Sequence, residues 1–256
     1  VKMNWVHCFL ITITSAFSLL FHQRHIRPQF VHKMQYSSLH PDLILPELVV
    51  FDLDMCLWRP EMFTLYDIPN EKSTKKYGKL GSAAAEGVLG VTSGDELISL
   101  FPGALQVLQD FHNGMYPGMK IAAASSADTP LAVTIGKAAM NILEVFPSVS
   151  VRQVFAKGWA SDSLFEGNMQ IGRTAPLSSD KSRTHFPILQ KETGIAYENM
   201  LFFDDCIWSD HCAMVSQNCP GVVTHRTPSG LQYSDWLNGL KAFHQKKSRM
   251  MTSQAP

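Results

Sequence analysis

The chain has 256 residues, of which 45% are hydrophobic and 17% are charged, and its formal net charge is +0. This length provides one domain of ordinary size with extensions, and the hydrophobic content is sufficient for a substantial core. Without a basic excess there is no electrostatic basis for binding nucleic acid, so we expect no nucleic-acid partner. The five cysteines form no CxxC pair, which indicates reduced thiols rather than a disulfide framework.

The first forty residues differ in composition from the remainder. Residues 6–21 are almost wholly apolar, but this run is shorter than the ~20 residues that span a bilayer comfortably. Basic residues flank it, and no acidic residue precedes Asp42. Residues 1–40 are therefore predicted to be a secretory or organelle-targeting leader, with a plastid as one destination and a cytoplasmic location if the leader is inactive. A membrane anchor and an upstream extension with Met34 as the true start are the alternatives.

Three apolar runs each end in polar residues, and they are the most informative pattern in the chain. Residues 48–51 lead into Asp52-Leu53-Asp54, residues 121–124 into Ser125-Ser126, and residues 200–203 into Asp204-Asp205. In an open parallel sheet, ligands bind beyond the carboxyl ends of the strands. We therefore expect these polar groups to surround one crevice.

The first acid pair is unusual in its position. Two carboxylates at the tip of a buried strand each disfavour ionisation of the other. That cost is tolerable if a cation binds there and one carboxylate does chemistry. A short motif of this kind is weak by itself, since a strand that stops at a surface turn is more common. The ordered set of acid pair, hydroxyl, lysine and second acid pair is much more specific.

The remaining segments alternate between strand and helix patterns. This alternation predicts an α/β fold with a doubly wound, Rossmann-like parallel sheet. The other predicted segments are an irregular insertion over 59–97 with a short hairpin near 89–91, helices over 102–114, 128–145, 184–192, 209–217 and 229–244, strands over 151–155 and 221–225, a loop over 156–179 and a disordered tail over 245–256.

The four motifs resemble those of the haloacid dehalogenase superfamily of phosphotransferases. They stand here as Asp52-Leu53-Asp54-Met55-Cys56, Ser125, Lys181 and Asp204-Asp205. Residues 51–58 further resemble the first motif of magnesium-dependent phosphatases in that superfamily, and the similarity covers about residues 45–243. It implies a phosphatase domain over 41–244 with the superfamily's topology and only a small flap, at 59–97, in place of a full cap.

The resemblance also implies roles for the first motif and the lysine. Asp52 would be the nucleophile that forms an aspartyl-phosphate. Asp54 would protonate the leaving oxygen and then deprotonate the attacking water. Ser125, Ser126 and Lys181 would bind the transferring phosphoryl group, and Arg183 is the strongest competitor for the lysine's role.

The cofactor implied by the resemblance is Mg²⁺, a hard cation that favours oxygen ligands. Its ligands would be the carboxylates of Asp52 and Asp204 and the main-chain carbonyl of Asp54, with Asp205 as a supporting carboxylate. Two departures bear on substrate choice: Ser126 replaces a basic residue of the similar phosphatases, and the loop at 206–208 reads Cys-Ile-Trp instead of a charged run.

We therefore expect a Mg²⁺-dependent phosphatase whose core is not embedded in a membrane. Its substrate would be a phosphorylated small molecule, such as a sugar phosphate, or a phosphoprotein carrying phosphotyrosine. A related phosphotransferase, a catalytically silent binding module on the same fold and a membrane-tethered scaffold are the alternatives. Retention of both Asp52 and Asp204 disfavours the silent module.

Overall fold

A computed structural model describes residues 43–72, 74–82, 85–159 and 166–253. The predicted leader at 1–40 lies outside these residues. The described residues all belong to one compact unit. Among the described residues, no helix combines the length and the apolar character needed to cross a bilayer.

The elements of this unit follow one another in a largely alternating order. In sequence they are β1 Leu48–Phe51, β2 Trp58–Arg59, a 3₁₀ turn at Met62–Thr64, β3 Lys75–Lys79, β4 Glu86–Ser93, β5 Glu96–Leu100, α1 Pro102–His112, β6 Lys120–Ser125, α2 Pro130–Ile142, β7 Glu144–Phe146, β8 Val149–Ser150, α3 Val151–Ala156, β9 Met169–Ile171, α4 His185–Thr193, a 3₁₀ turn at Tyr197–Asn199, β10 Met200–Asp204, α5 His211–Asn218, β11 Val223–Arg226 and α6 Tyr233–Ser253.

The central sheet is five-stranded and parallel. Its strand order is β11-β10-β1-β6-β9, so β1 lies at the centre with β10 on one side and β6 on the other. The continuous apolar runs of these strands fit a sheet that is covered on both faces. The predicted doubly wound α/β fold is confirmed.

Helices cover the two faces of the sheet through alternate residues of the same strands. On one face, Val50 and Phe202 belong to a buried cluster with Phe186 of α4 and residues of α5. On the other face, the Phe51 ring stacks on Phe203 at 5.6 Å and on Trp236 of α6 at 6.2 Å. Burying a large apolar side chain contributes about 1.5–3 kcal/mol, so these layers fix the position of the strand ends.

A second, antiparallel sheet occupies the predicted insertion. Its order is β2-β5-β4-β3. The prediction of a mostly irregular segment over 59–97 was therefore wrong, and residues 89–91 lie inside β4 rather than at a hairpin turn. Glycines and solvent-exposed lysines hide the strand pattern in the sequence, because β-propensity depends strongly on packing against neighbouring strands.

Two further segments differ from the sequence prediction. Residues 151–155 form the helix α3 instead of a strand, because Ser150 and Gln153 form a reciprocal capping box that begins a helix. The predicted loop at 156–179 contributes β9, which pairs in parallel with β6 at the edge of the sheet.

The final helix is longer than predicted. The sequence predicts a disordered tail over 245–256, but α6 continues to Ser253, and residues 254–256 lie outside the described residues. The ammonium group of Lys246 donates to the main-chain carbonyls of Gly221 at 2.9 Å and Val222 at 3.3 Å. These contacts hold the end of α6 against the start of β11.

A buried histidine joins the carboxyl ends of β6 and β9. Nε2 of His185 lies 3.1 Å from the carbonyl oxygens of both Ser125 and Gly172, and Nδ1 lies 3.1 Å from the Thr184 hydroxyl. Carbonyls only accept hydrogen bonds, so Nε2 carries the proton of a neutral ring. Burial, reinforced by the positive charge of Lys181, lowers the pKa of His185 to about 4.

We predict opposite effects of alanine at two helical glycines. A Cβ at Gly103 would lie 2.3 Å from the carbonyl oxygen of Leu231 and 2.7 Å from the Cα of Gln232. At Gly136 the nearest atom would be a Trp58 carbon at 3.7 Å, an ordinary contact. Gly103→Ala should lower the free energy of unfolding by about 1–3 kcal/mol. Gly136→Ala should raise it by up to about 1 kcal/mol. Chemical denaturation measures both, and changes of the same sign would contradict the packing described.

We also predict that His185 makes stability depend on pH. Above pH ~6.5 the ring is neutral in both folded and unfolded chains, whereas between ~6.5 and ~4 only the unfolded chain binds the proton. The free energy of unfolding should therefore decrease as the pH is lowered from ~6.5 to ~4, by roughly 3 kcal/mol in total. The variant His185→Gln should lack this component. Parallel pH dependences for the wild type and His185→Gln would contradict the neutral buried ring.

Candidate active site

A cavity of about 430 Å³ opens at the carboxyl edge of the parallel sheet. All of the residues that the sequence singles out for the site line it: Asp52, Asp54, Ser125, Ser126, Lys181, Asp204 and Asp205. The cavity also contains residues to which the sequence reasoning gave no role in the site, namely Glu61, Phe63 and His211.

Three carboxylates form a cluster at the floor of this cavity. Oxygens of Asp52, Asp204 and Asp205 all lie within 4.8 Å of one another. The closeness follows from the register, because Phe51 of β1 pairs with Phe203 of β10 and the residue after each is an aspartate. In the loop after β10, the main-chain N–H of Cys206 donates to Asp204 Oδ1 at 2.8 Å, and that of Ile207 donates to Asp205 Oδ2 at 3.0 Å.

Lys181 supplies the positive charge inside the cluster. Its Nζ lies 2.8 Å from Asp52 Oδ1 and 2.7 Å from Asp204 Oδ2, and its side chain is 1% exposed. Burial alone would lower the pKa of the lysine, but the two carboxylates outweigh it and keep the ammonium charged. Arg183 is 79% exposed and pairs with Asp180, so Lys181 rather than Arg183 reaches the cluster.

The charges of the cluster fit a further cation. Burial raises the pKa of Asp52 well above its usual range, and Asp204 and Asp205 raise it further, despite the opposing effect of Lys181. At Asp204, burial also acts to raise the pKa, but Lys181 outweighs it and the pKa is lowered. The cluster has three carboxylates and one ammonium, so a second positive charge is needed for all three to be ionised together. Such an all-oxygen donor set suits a hard divalent ion.

Asp54 lies in the same cavity but its carboxylate is directed to other partners. Trp58 Nε1 donates to Oδ1 at 2.8 Å, and the main-chain N–H of Met62 donates to Oδ2 at 2.9 Å. Its side chain is not one of the three carboxylates in the cluster. Burial raises the pKa of Asp54 to about 6, so this group can hold or release a proton near neutral pH.

The serines lie at the end of β6, on the wall beside the cluster. Ser125 is 3% exposed, and its carbonyl accepts hydrogen bonds from Gly172 N at 2.8 Å and from His185. Arg173 donates through Nε to the Ser126 carbonyl at 3.2 Å and pairs with Asp128 at 2.7 Å. A guanidinium from the neighbouring loop thus lies near Ser126, where the side chain itself is uncharged.

Another part of the mouth is aromatic. Trp208 Nε1 donates to Glu61 Oε1 at 2.8 Å, and the ring centroids of Trp208 and Phe63 are 6.0 Å apart. The sequence shows Ile207-Trp208 directly after the second acid pair, but without the fold it does not indicate which residues face them. Two adjacent large apolar residues in a loop next to the site are the sequence feature that could have indicated a binding surface there.

Three comparisons relate the chain to known proteins. The sequence profile described as Acid Phosphatase matches residues 44–246. Magnesium-dependent phosphatase 1 from Homo sapiens is 26% identical over 199 residues, which cover 78% of this chain and 88% of that protein. A crystal structure of the N-terminal part of the protein BF1531 from Bacteroides fragilis, containing a phosphatase domain complexed with Mg, is 13% identical with a TM-score of 0.40, covering 84% of this chain and 44% of that one.

The resemblance to magnesium-dependent phosphatases that the motifs predict is confirmed by these comparisons. Since the family profile spans most of the sequence, the chain belongs to the acid phosphatase family.

Proposed function

We propose that the protein is a Mg²⁺-dependent phosphomonoesterase that acts through an aspartyl-phosphate on Asp52. The observation that supports this most directly is the buried cluster in which Lys181 bridges Asp52 and Asp204. A purely structural ion pair would need only one carboxylate for one ammonium, whereas this cluster has three carboxylates for Lys181. The excess of carboxylates at the floor of an open cavity supports a site that takes up both a cation and an anionic substrate.

The proposed Mg²⁺ ligands are the carboxylates of Asp52 and Asp204 and the main-chain carbonyl of Asp54, with Asp205 as a supporting acid. When bound, the ion would supply positive charge that neutralises the phosphoryl oxygens. The name of the human relative, a magnesium-dependent phosphatase, supports this choice of metal.

Asp52 and Asp54 divide the chemistry between them. A carboxylate oxygen of Asp52 attacks phosphorus, the bond from phosphorus to the ester oxygen breaks, and Asp54 gives its proton to that departing oxygen. Asp54, now ionised, takes a proton from a water molecule that attacks phosphorus, and the bond from phosphorus to Asp52 breaks to release phosphate. A pKa of about 6 lets Asp54 serve as acid and then as base.

The other polar groups hold the phosphoryl group and its charge. Lys181 fixes the orientation of the Asp52 carboxylate and balances the charge that the phosphoryl oxygens bring. Ser125 and Ser126 line the cavity on the β6 side, where they would donate hydrogen bonds to those oxygens. Stabilisation of this kind contributes most of the catalysis in phosphoryl transfer.

The substrate is a phosphomonoester, and we propose either a sugar phosphate or a phosphotyrosine-bearing protein. The small antiparallel sheet leaves the cavity open to solvent at its mouth, which suits a large substrate as well as a small one. Both classes present the same phosphoryl group to Asp52 and differ only in the leaving group.

We predict that Asp52→Asn abolishes hydrolysis of p-nitrophenyl phosphate in the presence of Mg²⁺. The amide cannot act as the nucleophile, so turnover should fall by at least about 10³-fold. Asp128→Asn is the matched control, because Asp128 lines the same cavity but lies outside the carboxylate cluster and pairs with Arg173. This control should retain activity within a few-fold of the wild type.

A single-turnover experiment tests the covalent step directly. With ³²P-labelled substrate, quenched wild-type protein should carry label that neutral hydroxylamine removes, as expected of an acyl phosphate, and Asp52→Asn should carry none. Turnover without such label would contradict the aspartyl mechanism. Label without turnover in water, but with transfer to an added alcohol, would identify a phosphotransferase.

A further inference from the structure

Three apolar side chains line one wall of the cavity mouth while remaining open to solvent. Phe63 is 43% exposed, Ile207 49% and Trp208 74%. Scattered exposed apolar residues need no explanation, but a group of them on the rim of one cavity indicates a binding surface. The catalytic steps proposed above use none of the three.

The indole of Trp208 is held in place from two sides. Its Nε1 donates to Glu61 Oε1 at 2.8 Å, and its ring lies at 74° to that of Phe63 with the centroids 6.0 Å apart. The polar end of the indole is thereby satisfied, whereas most of the ring remains in contact with solvent. Such an arrangement restrains the ring and leaves an aromatic surface available for contact with a ligand.

The same turn of chain positions the proposed acid. Met62, which donates to Asp54 Oδ2 at 2.9 Å, lies between Glu61 and Phe63. Glu61 and Phe63, which both contact Trp208, are therefore the sequence neighbours of the residue that orients Asp54. Because Asp54 must reach the ester oxygen, the leaving group lies on this side of the cavity. Ser125 ends β6, and Arg173 follows β9.

We propose that Trp208, supported by Phe63, is a leaving-group platform that selects aryl phosphomonoesters. This inference rests on the proposed function and deepens it, because it names the leaving group for the same site. An aromatic ring joined directly to the ester oxygen would stack on the indole as Asp54 donates its proton. A polyhydroxylated sugar offers the indole only a C–H face and keeps its hydroxyls in solvent, so it gains less from contact with Trp208 and Phe63 than an aryl ring does.

Binding of a non-hydrolysable probe tests the platform without turnover. Calorimetry would measure the affinity of 1-naphthylmethylphosphonate for the full chain in Mg²⁺, with methylphosphonate as the probe that lacks a ring. Trp208→Ala should weaken binding of the naphthyl probe roughly 2- to 10-fold, the range expected for loss of one aromatic contact. Binding of methylphosphonate should be unchanged.

Two further variants separate stacking from general disturbance of the site. Trp208→Phe keeps an aromatic face and should restore most of the affinity for the naphthyl probe. Tyr77→Ala removes a side chain that is 67% exposed on β3, away from the cavity, and should change neither affinity. Unchanged naphthyl affinity in Trp208→Ala, or an equal loss for both probes, would overturn the platform.

A kinetic comparison distinguishes failure of the platform from failure of the proposed function. Trp208→Ala should raise KM for 1-naphthyl phosphate, whereas its KM for glycerol 3-phosphate should stay within about two-fold of the wild-type value. Hydrolysis of both substrates with neither KM altered would overturn the platform and keep the phosphatase. Trp208-dependent probe binding without hydrolysis of either substrate would support the platform and overturn the phosphatase.

Discussion

The structure depends on three buried carboxylates at one edge of a parallel sheet, which the ammonium group of Lys181 balances only in part. Asp52 and Asp204 stand side by side because β1 and β10 pair in register, and Lys181 lies between them at 2.8 Å and 2.7 Å. Removing Lys181 would leave the buried carboxylates uncompensated, and breaking a buried ion pair in this way typically costs about 3–5 kcal/mol. The same shortage of positive charge favours a divalent cation, and the bound cation would in turn favour a phosphoryl dianion.

The packing of the sheet makes this arrangement rigid. Stacked rings of Phe51, Phe203 and Trp236 on one face, and the α4 and α5 cluster on the other, prevent the strand ends from separating. His185 adds a connection at the edge, because its neutral ring donates towards the carbonyls of Ser125 and Gly172. Catalysis by electrostatic stabilisation requires groups that are already oriented, and these contacts supply that orientation.

The antiparallel sheet has a larger role than that of a flap. Trp58 begins its first strand, is fully buried, and donates through its indole N–H to Asp54. The turn after that strand adds the second hydrogen bond to Asp54 and also carries Phe63 at the mouth. A single stretch of chain thus connects the proposed acid and base to the proposed leaving-group platform.

How far the sequence predicts the fold differs between its parts. The parallel sheet was predictable because apolar runs that end in Asp or Ser are explicit in the chain, and those ends also located every candidate site residue except Lys181, which the family resemblance indicated. The antiparallel sheet was not, because Gly87 and Gly90 interrupt β4 and its partner β3 is mostly lysine and exposed. The helix at 151–156 was misread because its valines favour a strand, although Ser150 and Gln153 carried the capping signal. The wall formed by Phe63 and Trp208 joins residues far apart in sequence, so only the fold reveals it.

The most direct test of the cluster as a metal centre is anomalous diffraction from crystals of the protein soaked in Mn²⁺, an ion that prefers the same oxygen ligands as Mg²⁺. We expect one peak in the cavity, in contact with carboxylate oxygens of both Asp52 and Asp204, and its loss in Asp204→Asn. A well-ordered cavity without a peak, or a peak that contacts neither carboxylate, would contradict the assignment of the buried cluster as the metal centre of a phosphatase.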